Sequence, residues 1–143
     1  MFFLESLFRN KKGYPPLDFN STAIQQLDKF QEPLGKICLQ TSDPVELVPT
    51  DETCYIFLGN PPRRFAMTWI DKDNSIHKFK SLAKDKGVSQ AKFERLAETI
   101  GEAYRQSKGE ARFSLDFDNK TITVTVSQSL ADHLKQVINE AIT

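Results

Sequence analysis

The run Cys54-Tyr55-Ile56-Phe57-Leu58 carries no charged side chain and none that belongs in water. In a strand successive side chains point to opposite faces, so Cys54, Ile56 and Leu58 share one face while Tyr55 and Phe57 share the other. Both faces are apolar. The run from Phe65 to Ile70 repeats this more softly, with Phe65, Met67 and Trp69 on one face and Ala66, Thr68 and Ile70 on the other. Gly59-Asn60-Pro61-Pro62 between them reads as a turn, so the two strands should pair antiparallel. Whatever else the chain does, something has to cover each side of this hairpin.

The rest of the chain supplies that cover. With Asn20 or Ser21 as N-cap, Ala23, Ile24, Leu27 and Phe30 recur at helical spacing, and Pro33 and Gly35 argue for a stop. Ile37-Cys38-Leu39 reads as a strand, the acidic, proline-bounded stretch from Asp43 to Glu52 as a loop, and Ser75 to Lys80 as a weaker strand. Ser89 caps the best-defined helix, in which Phe93, Leu96, Ala97, Ile100 and Tyr104 form one stripe. Ala111 to Phe117 and Ile122 to Val126 alternate strictly, and Asp118-Asn119 between them suits a two-residue hairpin loop. Leu130, Leu134, Val137, Ile138 and Ala141 mark a final helix.

This order predicts an α+β fold with an antiparallel sheet of five or six strands and helices packed mainly on one face, a two-layer domain. At 143 residues there is chain for about one domain. We place it at residues 20–143, preceded by an N-terminal amphipathic arm and linker at residues 1–19. Phe2, Phe3, Leu4, Leu7 and Phe8 give the arm an apolar side, and Lys11-Lys12-Gly13-Tyr14-Pro15-Pro16 separates it from the body. So short a helix must dock to persist, on its own core, a second subunit, another protein or a lipid surface. The element order over residues 20–142 resembles the type III secretion chaperone-like fold, a resemblance of order alone. It implies a partner-binding dimer.

Chemistry is harder to find than cover. His77 and His133 share no local ligand spacing, no serine lies in a G-x-S-x-G turn, and the six glycines form no phosphate-binding loop. We therefore assign no catalytic residue, no metal ligand and no cofactor. The 19 basic and 19 acidic residues cancel. Without surplus positive charge the chain lacks the term that dominates nucleic-acid affinity, so no nucleic acid is expected. The longest apolar run is far short of the roughly 20 residues of a membrane span, and the N-terminus lacks the basic region and cleavage site of a secretion signal. Cys38 and Cys54 lack CxxC or metal spacing and read as buried reduced thiols, hence a cytoplasmic protein.

Charge is locally uneven. Nine basic residues against four acidic lie between Pro61 and Arg95, while Asp43 to Glu52 holds four acidic residues and no basic one. The acidic loop could fold near the basic hairpin. Aromatic residues and Met beside Arg63 and Arg64 have the composition of an interface centre. From this we expect a non-enzymatic protein-interaction module that binds a protein partner or itself, as a homodimer, through Tyr55, Phe57, Arg63, Arg64, Phe65, Met67 and Trp69. The alternative is a small-ligand-binding or enzymatic domain. Its pocket would open between the sheet and the central helix, lined by Trp69, Arg63, Arg64 and His77. Ordinary core burial beneath a folded-back helix and peripheral membrane contact through residues 1–12 also stay open.

Overall fold

The computed structural model describes residues 13–143, so the predicted arm at residues 1–12 lies outside the described residues. Two helices, α1 (Thr22–Asp28) and α2 (Gln31–Gln40), lead into strands β1 (Val45–Pro49), β2 (Cys54–Asn60), β3 (Arg64–Ile70) and β4 (Ile76–Lys78). Helices α3 (Phe79–Asp85) and α4 (Gln90–Gln106) follow, then the hairpin β5 (Ala111–Phe117) and β6 (Lys120–Val126) and the last helix α5 (Gln128–Ile142). The class is α+β. The six strands form one sheet in the order β4-β3-β2-β1-β6-β5.

The sheet is mixed rather than wholly antiparallel, because β1 pairs antiparallel with β2 but parallel with β6, Glu46 opposite Thr123 and Leu47 opposite Val124. This corrects the expected antiparallel sheet, and its cause lies in β1. All five residues of β1 are buried, as is usual for a strand at the centre of a sheet covered on both sides. The stretch around it, with Pro44, Glu46 and Pro49, reads as a loop in sequence, yet Pro49 sits at the strand's end and Glu46 finds buried partners.

Helices lie on both faces, so the two-layer expectation is also corrected. One face carries Cys54, Ile56, Val45, Leu47, Ile70, Ile122 and Val124 against Ala23, Leu27, Phe30, Leu34, Ile37 and Cys38 of the α1–α2 segment. The other carries Val48, Tyr55, Phe57, Met67 and Trp69 against Phe79 of α3, Leu96, Ile100 and Ala103 of α4 and the buried stripe of α5. The two apolar faces of β2 thus meet two separate helical layers. A fully buried Phe or Ile side chain contributes about 1.5–3 kcal/mol, so Phe30 and the residues packed with it make the α1–α2 layer a real part of the core.

Ile37 and Cys38 are helical, not extended. Pro33 is the third residue of α2, inside the first turn, where a missing N–H costs no hydrogen bond. Ser21 caps α1 by accepting from Ile24 N at 3.3 Å, Ser89 caps α4 from Lys92 N at 3.1 Å, and Ser127 caps α5 from Leu130 N at 3.0 Å. The predicted strand at Ser75–Lys80 ends at Lys78, and Phe79 opens α3. Asp118 and Asn119 take positive φ of 48° and 65°, the pair of left-handed residues that a tight hairpin needs. Pro16 bridges to Ser114 alongside β5, and Leu17 is buried, so residues 15–17 extend the sheet edge. No helix among the described residues is long and apolar enough to cross a membrane.

Candidate functional site

Register brings the expected interface residues together on one face. Tyr55 lies opposite Trp69, Phe57 opposite Met67 and Gly59 opposite Phe65, so all five aromatic or Met side chains project to the same side. That side is the one covered by α3, α4 and α5. Phe57 is wholly buried, and Tyr55, Met67 and Trp69 are at most 6% exposed. These four are core. Arg63 and Arg64 stand in solvent at the hairpin end, and Phe65 beside them is half-buried. The open aromatic face anticipated from sequence is absent among the described residues, because α3, α4 and α5, all later in the chain, cover it.

What the covered face leaves open is at its two ends. At one end the cross-strand row continues outward from Tyr55 through Trp69 to His77, which pairs with Trp69 in β4. The imidazole stacks on the indole with ring centroids 5.3 Å apart and planes 21° from parallel. Beside them is a cavity of about 400 Å³, lined by the row, by Asp71, by Leu82 and Lys86 on the α3 side, and by Lys135, Ile138, Asn139 and Ile142 of α5. That size is in the range of small-molecule sites. A neighbouring hollow shares Thr53, Tyr55 and Lys135 and adds Asp132.

Asp71 closes β3, and its turn to β4 is held by Asp71 N donating to Ser75 O at 3.0 Å and Asn74 N donating to Asp71 O at 2.8 Å. Within that turn a hydrogen bond from the Ser75 backbone holds the Asp73 carboxyl below its usual range. Asp71 Oδ2 approaches His77 Nε2 at 2.6 Å, both side chains being partly exposed. Nε2 itself is shut off from solvent and completes no aligned hydrogen bond among the described residues. The two groups form an ion pair only when the imidazole carries its second proton. Burial, reinforced by Asp71 and Asp132, pushes the Tyr55 phenol up to about 12, so at neutral pH it is a hydrogen-bond donor and not an anion.

At the other end of the same face Glu46 is buried in the centre of the sheet, at 5% exposure. Tyr104 O–H donates to its Oε1 at 2.6 Å, while Arg112 Nε at 3.2 Å and the Thr125 hydroxyl donate to its Oε2. Arg112 reaches Ser107 O and Oγ, both at 2.7 Å, and its guanidinium lies 5.0 Å from the Tyr104 ring centroid. Burial and the Glu46 carboxylate together drive the Tyr104 phenol well above its ordinary range. This network neutralises the buried charge of Glu46 without any basic residue of the Pro61–Arg95 stretch. It was not legible because Glu46 and Arg112 are 66 residues apart.

The pocket expected beneath the central helix, with Arg63 and Arg64 beside Trp69 and His77, is corrected. Trp69 and His77 do line a cavity, but α3 and α5 wall it, and the two arginines sit at the opposite end of β3. His133 is exposed on α5. Cys38 and Cys54 are free thiols buried in the α1–α2 core, where loss of hydration raises both pKa values. No cluster of three or more His, Cys, Asp or Glu among the described residues has the proximity to hold a metal ion. No family model, no curated protein and no solved structure matches this chain.

Proposed function

We propose that the chain is a small-ligand-binding domain whose site is the cavity beside the Tyr55–Trp69–His77 row. The observation that carries this is His77, stacked on Trp69 at the cavity wall, with the Asp71 carboxylate 2.6 Å from its buried nitrogen. Trp69, Leu82 and Ile138 supply apolar wall, and Tyr55, His77, Asn139, Lys86 and Lys135 supply a few polar groups around it. Apolar walls with few convergent polar groups are the usual composition of a ligand site. Two ammonium groups against one carboxylate favour a flat apolar molecule bearing an anionic group.

Trp69 is the sole tryptophan of the chain, so its fluorescence reports on this cavity directly. Titration with aromatic carboxylates, nucleotides and haem, alongside thermal shift, should find a compound that both quenches Trp69 and raises Tm. His77→Ala should abolish the quenching. A panel that changes neither signal removes the basis for the reading.

A second reading keeps the protein-interaction role, carried by exposed Arg63 and Arg64 beside half-buried Phe65 at the β2–β3 hairpin end. Sedimentation of the full chain with and without Arg63→Glu and Arg64→Glu tests it for self-association. A monomer unchanged by either substitution counts against a homodimer through this end.

A further inference from the structure

The other end of the helix-covered face holds a second cavity, of about 420 Å³, walled by Tyr14, Pro61, Pro62 and Tyr104 and faced by Arg105, Lys108 and Arg112. Its lining has three cations and no acidic side chain. The proline wall is held in place: a Cβ added at Gly101 of α4 would come within 2.9 Å of Pro62 O, so the helix rests directly on the turn. The floor is held as well, because Arg112 is bonded to Glu46 and Ser107 with its side chain only 5% exposed.

Arg105 and Lys108 alone have an ordinary explanation, since cations near a helix C-terminus offset the negative end of its dipole. Arg105 also bonds Glu102 at 3.3 Å. Arg112 pairs with the buried Glu46, yet its bonds do not use all of its donors. Among the described residues three of its five N–H groups are used, and Arg112 still lines the cavity. Guanidinium is the side chain best shaped to hold carboxylate or phosphate oxygens.

We propose that this cavity is a second ligand site, which takes an oxyanion carried on a flat apolar body. Arg112 anchors the oxyanion from the floor, Lys108 and Arg105 meet it at the rim, and the body lies along Tyr14 and the two prolines. The site is independent of the His77 cavity, from which the Phe57–Met67 row separates it.

Calorimetric titration of the full chain with phenyl phosphate, inorganic phosphate and phenol tests this. In His77→Ala, which disables the other cavity, phenyl phosphate should still bind most tightly of the three and raise Tm while leaving Trp69 fluorescence unchanged, because neither Trp69 nor His77 lines this cavity. Adding Arg105→Glu with Lys108→Glu, both at exposed positions, should weaken that binding about 10-fold or more without loss of the fold. Phenol binding as tightly as phenyl phosphate would overturn the oxyanion, and inorganic phosphate binding as tightly would overturn the apolar wall. Absence of phenyl phosphate binding at millimolar concentration, or binding indifferent to the double charge reversal, would overturn the site itself.

Discussion

Glu46 and His77 project from the same face of one sheet, the first from its centre with both carboxylate oxygens hydrogen-bonded, the second from its edge with a carboxylate close by and a cavity alongside. The difference is one of depth. At the centre an unpaired charge would cost several kcal/mol, so the fold supplies donors to both oxygens of Glu46. At the edge the His77 and Asp71 side chains are both partly exposed, the cost is smaller, and a polar group can be left for something other than the fold. Buried polar residues in this chain are therefore structural where they are satisfied, and candidates for binding where they are half open.

Glu46→Ala puts the largest strain on this contrast. It leaves Arg112 buried beside an empty site, and urea unfolding should show a loss of about 3–5 kcal/mol. Replacing the pair together, Glu46→Leu with Arg112→Met, should recover much of that loss, as the remaining groups no longer face an unpaired charge. Phe57→Ala, at the wholly buried centre of the aromatic row, should cost about 3–5 kcal/mol, and Phe65→Ala, half-buried at the hairpin end, clearly less. A stable, unchanged Phe57→Ala would return the aromatic face to the surface.

The tyrosines sharpen the comparison by pH. Tyr55 has a folded pKa of about 12 against 10 when unfolded, so the unfolded chain loses this proton first as pH rises. Its contribution is intact below pH 10 and falls between pH 10 and about 12, by no more than about 1.4 kcal/mol per pH unit. Tyr55→Phe should flatten that part of the stability profile, measured by urea midpoints at alkaline pH. The smallest effect belongs to His77→Ala, which should change stability by less than about 1 kcal/mol while removing ligand quenching of Trp69. A large destabilisation there would make His77 another structural group like Glu46.

Local pattern was a sound guide wherever neighbours in sequence were also neighbours in space. The Ser89 cap, the α4 and α5 stripes and the Asp118-Asn119 hairpin all depend on contacts a few residues apart, and all are present. It misled where a local signal had two physical meanings. Pro33 breaks a helix interior but suits its first turn, and the Pro44–Glu52 composition marks a loop unless a central strand has partners for its carboxylate. His77 and Trp69 were named as pocket-lining residues, but the walls came from α3 and α5. Asp71, Tyr55 and Lys135 converge through register and packing that no spacing records. The Tyr104–Glu46–Arg112 network gave no local signal.

By itself the sequence determined that the hairpin at residues 54–70 must be covered on both sides, because side chains alternate along a strand whatever surrounds it. Which helices would do the covering was decided only by the tertiary structure. The parallel pairing of β1 with β6 joins segments some eighty residues apart, and such long-range contacts choose their partners by shape, charge and buried area together. The same choice turned an apparent docking face into core and left cavities at its two ends.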